Sequence, residues 1–240
     1  MAVIPARGGS KGIPRKNLAM VAGHPLIAYS IAGALAAERV HRVIVSTDDL
    51  EIADVARAYG AEVPFIRPAE LATDDTPDLP VFDHALGWLA ARAGDPPDIL
   101  VHLRPTSPLR QVADIDRAVD LLRENPTADS VRSVCAPFQN PYKMWRLTDH
   151  GLLAPLLGAE VEEPYNLPHQ KLPPVYWQTG YIDATRYRTI VTVRSMTGGA
   201  ILPLVIGDDS WVDIDTRAML EHADFLIRTG RVKVATPRRV

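Results

Sequence analysis

Short apolar runs rich in β-branched residues alternate with longer stretches of helical spacing, and this alternation constrains the fold of the chain more than any other feature. Residues 2–6, 42–47, 62–66 and 99–103 read as strands, being brief, apolar and closed by punctuating residues. Between them, residues 25–37, 50–59 and 76–93 carry helical spacing and good helix formers, with Asp48 or Asp49 and Thr76 placed as caps. Strand then helix, repeated, calls for parallel strands joined by crossovers, and such a sheet is covered by helices on both faces. The expected class is α/β. A further helix over 112–124 leads to a strand at 130–136, and the rhythm then fails over 138–174, where prolines, glycines and aromatics follow no period. That stretch reads as a loop-rich excursion or as an arm that packs on another subunit. Strands at 175–183, 201–206 and 211–215 and a last helix over 217–229 complete a single domain spanning 1–240.

Composition excludes several functions. Lys and Arg number 26 against 29 Asp and Glu, a net charge of −3, which argues against a nucleic-acid partner held by charge. No apolar run reaches the roughly 18 residues of a membrane span, and Arg7 and Lys11 stand where a signal peptide would be apolar, so a cytoplasmic protein with no membrane partner is expected. The single cysteine, Cys135, lies in an apolar run and reads as core rather than as a nucleophile. The histidines show no paired spacing, so zinc is not expected; His102, inside an apolar strand, reads as a satisfied core residue, and His169 is the one to watch. The basic tail carrying Arg231, Lys233, Arg238 and Arg239 reads as a solvated end.

In an open parallel sheet, ligands sit beyond the carboxyl ends of the strands. The first strand is followed by Ala6-Arg7-Gly8-Gly9-Ser10-Lys11-Gly12-Ile13-Pro14-Arg15-Lys16-Asn17. Its glycines let backbone approach a ligand closely, and its four cations supply charge, which suits a polyphosphate better than it suits a solvated basic turn. Neither Gly-x-x-x-x-Gly-Lys-Ser/Thr nor Gly-x-Gly-x-x-Gly is present. Near the other end, Asp213-Ile214-Asp215 places two carboxylates on one face of a strand, where they can share a hard cation such as Mg²⁺. The alternative is that Asp215 caps the helix that follows.

The block from Ile4 through Lys16-Asn17 resembles the signature of the acylneuraminate cytidylyltransferases, the CMP-sialic acid synthetases and their relatives for other nonulosonic acids and Kdo. The resemblance continues, in order, through Ser46-Thr47-Asp48-Asp49, Arg67-Pro68-Ala69-Glu70-Leu71, Arg104-Pro105-Thr106-Ser107-Pro108-Leu109-Arg110 and Val212-Asp213-Ile214-Asp215. It covers nearly the whole chain. The spacing to Lys16-Asn17, without an Arg-Leu-Pro-Gly-Lys block, looks closer to the sialic acid branch than to the Kdo branch.

The resemblance implies a Rossmann-like three-layer nucleotide-diphospho-sugar transferase fold with a mostly parallel sheet and CTP as substrate. Carried over by position, Arg7, Ser10, Lys11 and Lys16 hold the triphosphate beside Gly8 and Gly9, Asn17 lies near the ribose, and Arg67 either helps bind the nucleotide or is an ordinary strand-end arginine. Asp213 and Asp215 would hold Mg²⁺ and, with Arg7 and Lys16, form the catalytic set; either Asp could instead take the proton. Arg104, Thr106, Ser107, Lys143, Gln178 and Tyr181 would face an acidic sugar, and residues 138–174 would contribute dimer contacts and acceptor binding, making a homodimer the expected state. Arg104 stands where the family often has Gln, and Thr179 where it often has Asn. An arginine there suits a carboxylate or a phosphonate. The implied reaction joins CTP to a sialic-acid-like sugar acid and releases pyrophosphate. Its rivals are a cytidylyltransferase for a phosphonate or other acid, a metal-dependent glycosyltransferase that consumes a nucleotide sugar, and a noncatalytic nucleotide-binding protein.

Overall fold

β1 (Ala2–Pro5) has no exposed face. Ala2 and Ile4 pack with Ile27, Ile31, Ile52 and Ile115 on one side of the sheet, and Val3 packs with Phe82, Leu86, Leu100 and Ile190 on the other. A strand buried on both faces cannot alternate with polar residues, which is why this one reads as a continuous apolar run. A computed structural model describes residues 1–92, 96–158, 160–207 and 212–240.

Five further strands complete the central sheet: β2 (Val43–Ser46), β3 (Ile99–His102), β4 (Ser130–Cys135), β5 (Trp177–Arg186) and β6 (Ile201–Val205). Their order across the sheet is β6-β4-β5-β3-β1-β2. β1 runs parallel to β2 and β3, β6 runs parallel to β4, and β5 is antiparallel to both its neighbours. The helices are α1 (Leu26–Ala36), α2 (Leu50–Ala58), α3 (Asp78–Ala90), α4 (Val112–Glu124), α5 (Tyr187–Val191) and α6 (Arg217–Arg228). α1, α2 and α4 cover one face and α3 and α5 the other, a three-layer Rossmann-like arrangement. Cys135 is buried in the core, and His102 is buried at the end of β3.

Four local expectations are corrected. Residues 62–66 form no strand, only a single bridge from Glu62 to Ile44, because Pro64 lacks the N–H that a second ladder bond needs. Val212–Asp215 is not a strand either: the Ile214 N–H donates 2.8 Å to the Thr106 carbonyl, while Trp211 lies outside the described residues. Thr76 does not cap α3, whose N-cap is Pro77, whereas Asp49 does cap α2 by accepting from the Ile52 N–H at 3.0 Å. Thr216 caps α6, accepting from the Met219 N–H at 3.3 Å, so Asp215 is not needed there.

The excursion is more ordered than its sequence suggests. Trp145–Leu147 and Leu153–Pro155 form an antiparallel hairpin pairing Leu147 with Leu153, and both leucines are exposed. The tail packs in part: Val232 and Val234 join the α6 cluster, the Val240 N–H donates 3.0 Å to the Ala58 carbonyl, and the Arg239 guanidinium lies 5.8 Å from the Tyr59 ring.

Candidate active site

The segments that follow β1 and β3 and the one that precedes α6 meet beyond the carboxyl ends of the strands, around a cleft of about 480 Å³. Arg7, Ser10, Lys11, Lys16 and Asn17 line it from the first loop, joined by Arg67, Arg104, Thr106 and Asp215. A larger cavity of about 770 Å³ opens at the opposite end, beside Met1, Arg42 and Ile99, where strands begin. The position of ligands in open α/β sheets favours the first.

The loop is folded by its own polar contacts. The Gly8 N–H donates 3.0 Å to Asp48 Oδ1, and Asn17 Nδ2 donates 2.9 Å to the Arg7 carbonyl. Glycine is required twice: a Cβ at Gly8 would stand 2.7 Å from Asp49 Oδ2, and one at Gly12 would stand 2.7 Å from the Asp215 carbonyl oxygen. A Cβ at Gly9 would meet nothing within 4 Å, so the space over that glycine is open. Arg15, at φ 52°, turns away to bind Asp49 and Glu51, leaving Arg7, Lys11 and Lys16 as the loop cations aimed inward.

Those cations already hold carboxylates. Arg7 Nη2 and Lys11 Nζ reach the two oxygens of Asp74 at 2.6 and 2.5 Å, and Lys16 Nζ lies 3.0 Å from Asp215 Oδ1. Exposed pairs of this kind contribute about 0–1 kcal/mol each, so a polyphosphate can displace them at little cost. Arg67 differs: it is 4% exposed, its Nε and one Nη have no hydrogen-bond partner, and its nearest carboxylate, Asp48, is 3.8 Å away. Burial lowers its pKa, with Asp48 opposing and Arg7 adding to the effect. A buried guanidinium with donors left over is suited to an anionic ligand.

Asp213 receives a side-chain hydrogen bond from Thr106, and burial, with the Asp215 charge beside it, holds its carboxyl above the usual range. Among the described residues no group of three or more His, Cys, Asp or Glu converges. Two carboxylates nevertheless fit Mg²⁺, which is commonly held by one or two carboxylates with phosphate oxygens and water supplying the rest.

The acceptor residues expected from sequence do not all arrive. Arg104 and Thr106 line the cleft. Ser107 is 1% exposed with its hydroxyl unpartnered, Gln178 is exposed on β5, and Lys143 Nζ donates 3.3 Å to the Tyr165 carbonyl in the excursion, so none of the three lines the cleft. Tyr181 is a core residue: fully buried, its hydroxyl accepts from the Gln111 N–H at 2.6 Å and donates to Asp114 at 2.8 Å. Nor is Arg104 a free cation, since Asp183 and Asp78 hold it at 2.7 and 3.0 Å. His102, expected to be satisfied, lines the cleft with neither ring nitrogen hydrogen-bonded. Sequence reasoning missed Asp74, Asp78 and Asp183; the cluster Thr73-Asp74-Asp75-Thr76-Pro77-Asp78 was the signal available for the first two.

A cationic glycine loop after the first strand of a Rossmann-like sheet, tied through Lys16 to Asp215 in a cleft beyond the carboxyl ends of the strands, fits a nucleotidyltransferase. Residues 1–148 match the family model described as cytidylyltransferase. The chain is 36% identical over 219 residues to the CMP-N,N'-diacetyllegionaminic acid synthase of Legionella pneumophila, covering 90% of each. It is 30% identical over 223 residues to the N-acylneuraminate cytidylyltransferase of Escherichia coli, covering 93% of this chain and 51% of that one. The chain belongs to the cytidylyltransferase family. Its fold is shared with a CMP:2-keto-3-deoxy-manno-octonic acid synthetase solved in complex with CTP, at a TM-score of 0.69 and 19% identity over 95% of this chain and 98% of that one.

Proposed function

We propose that the cleft activates a nonulosonic sugar acid, a sialic- or legionaminic-acid-like 2-keto-3-deoxy sugar, by joining it to CMP from CTP with release of pyrophosphate. The convergence of Arg7, Lys11 and Lys16 with Asp215 on one cleft carries this reading, and the names of the relatives that cover most of the chain support the acceptor class.

In this reading Arg7, Lys11 and Lys16 exchange their carboxylate partners for the triphosphate, Ser10 and the amide of Gly9 complete the cradle while the Gly8 N–H stays on Asp48, and Asn17 lies beside the ribose. Arg67 supplies a further charge. The anomeric hydroxyl of the sugar attacks the α-phosphorus in line, and cations spread over the leaving pyrophosphate take up the charge that develops. Asp213 and Asp215 would hold Mg²⁺, which when bound would neutralise phosphate charge and acidify the attacking hydroxyl. The proton of the attacking hydroxyl passes to one of these two carboxylates.

The apolar excursion is proposed as a homodimer contact, because Leu147, Leu152 and Leu153 are 74%, 67% and 64% exposed on one hairpin. The phosphonate alternative loses its support, since it needed an uncompensated Arg104. Pyrophosphate release with CTP, Mg²⁺ and a panel of sialic, legionaminic, pseudaminic and Kdo-type acids together with simple phosphonates tests the proposal. Release with one nonulosonic acid is expected; release only with a phosphonate, or of a nucleoside diphosphate, would overturn it.

A further inference from the structure

Beneath the acceptor side of the cleft lies a chain of charges that the reaction as described does not use. Arg104 Nη1 donates to Asp183 Oδ2 at 2.7 Å and to the Gly180 carbonyl at 3.3 Å, and its Nη2 donates to Asp78 Oδ2 at 3.0 Å. Asp183 Oδ2 also takes Arg132 Nη1 at 2.6 Å, and Arg132 Nη2 reaches the Met196 carbonyl at 3.0 Å and the Thr197 hydroxyl. Asp183 is 1% exposed, and two guanidinium groups share one of its oxygens. Gly180 belongs to the same device. At φ +65° it brings the β5 carbonyl to Arg104, and a Cβ there would stand 3.3 Å from Nη1.

Two consequences follow from counting. Of the five N–H donors of a guanidinium, these contacts engage three and leave the Nε–H and one Nη2–H. The charges of Arg104 and Arg132 are matched by those of Asp78 and Asp183, and His102 behind them is kept neutral by burial and by the neighbouring arginines. A compensated guanidinium has little charge to offer a carboxylate, but it keeps directional donors in a fixed plane. That is the equipment for reading a neutral oxygen.

We propose that Asp183 and Asp78 are positioning residues that lock Arg104 as a charge-compensated donor, and that Arg104 so held selects the acceptor by a neutral hydroxyl or acylamino oxygen rather than by its carboxylate. The proposal rests on the sugar-acid reading above. A site built around such a donor discriminates strongly against an analogue lacking the partner group, because the donor is then left unpaired.

The test uses Asp183→Asn, Asp78→Asn, Arg104→Gln and the double variant Arg104→Gln/Asp183→Asn. Steady-state kinetics are run with the accepted sugar acid and with an analogue lacking one hydroxyl or acylamino group. Asp183→Asn is expected to raise KM for the acid by about tenfold, leave KM for CTP within about twofold, and erase most of the discrimination between the two acids. Because Asp183 acts through Arg104, the double variant should lose no more than Arg104→Gln alone. Additive losses, an equal rise in KM for CTP, or unchanged discrimination would overturn the proposal.

Should Asp183→Asn fail to fold, Asp78→Asn, altered at the more exposed end of the chain of charges, carries the same comparison. A second readout needs no acceptor: the ¹⁵N guanidinium resonances of Arg104, assigned by their loss in Arg104→Gln, should be separate and slowly rotating in the wild type and averaged in Asp78→Asn. Averaged resonances in the wild type would refute the lock. If the wild type releases no pyrophosphate with any acid, the proposed reaction fails while this spectrum still decides whether Arg104 is held.

Discussion

Lys16 Nζ stands 3.0 Å from Asp215 Oδ1 across 199 positions of sequence, so the first loop and the segment before the last helix are tied together before any nucleotide arrives. Asp215 is largely exposed, and an exposed pair contributes little stability. Its significance is placement: the cation proposed to meet phosphate and the carboxylate proposed to hold Mg²⁺ fix each other's position. Asp213→Asn and Asp215→Asn are each expected to lower kcat by at least about 100-fold, with thermal unfolding little changed. Near-normal turnover in both would remove these residues from the catalytic set.

Asp74 holds Arg7 and Lys11, the two cations proposed to take the triphosphate. Asp74→Asn should therefore lower KM for CTP, since the cations no longer have to be released. Arg7→Ala should raise it by about tenfold or more, the loss of a charge-assisted hydrogen bond worth roughly 1.5–3 kcal/mol. Initial rates against CTP concentration check both, and a rise in KM for Asp74→Asn would contradict the substitution argument.

Two loop glycines separate structure from binding. Gly12→Ala drives a Cβ to 2.7 Å from the Asp215 carbonyl and should lower both the melting temperature and kcat. Gly9→Ala meets open space in the free protein, so it should leave the melting temperature alone and weaken CTP binding if the triphosphate packs against this backbone as proposed. Differential scanning fluorimetry with and without CTP distinguishes the two.

How much of this could be read from the sequence depended on whether a feature was local. The spacing over 112–124 marks α4 to the residue, because its apolar positions Ile115, Ala118, Val119 and Leu122 are all buried on one face. The run at 62–66 has strand composition, but Pro64 interrupts the ladder, so composition and hydrogen bonding disagree there. The first loop and the acidic pair stand out in the sequence through charge and glycine content, and the loop cations and Asp215 do line one cleft. Asp183 is not legible and Tyr181 is misplaced toward the acceptor, because the later part of β5 is buried on both faces and no alternation tells which side chain meets the cleft. The clamp on Arg104 draws Asp78 from α3 and Asp183 from β5, and nothing within either segment hints at the other.

His102 gives a pH dependence with a definite sign. Burial, followed by repulsion from Arg104, Arg132 and Arg110, holds its pKa well below 6.5, while Asp78 stands 3.7 Å from its Nδ1. The unfolded chain then binds the extra proton below pH 6.5. The folded chain does not, so this contribution to stability is complete above that pH and lost as pH falls. His102→Leu should flatten the decline in denaturant midpoint between about pH 6.5 and 5; an unchanged slope would show that other groups produce it.

The hairpin leucines test the dimer. Leu147 and Leu153 pair across the strands and are mostly exposed, so Leu147→Glu/Leu153→Glu should convert a dimer to monomers in sedimentation velocity without unfolding the domain. A wild type that sediments as a monomer at micromolar concentrations would count against the contact.

The most direct test of the central claim offers the enzyme all four ribonucleoside triphosphates, Mg²⁺ and a mixture of nonulosonic acids, and identifies the conjugate by mass spectrometry. A single CMP-sugar formed with one equivalent of pyrophosphate is the predicted result. A conjugate of another nucleotide, or a sugar transferred onward with release of a nucleoside diphosphate, would contradict it.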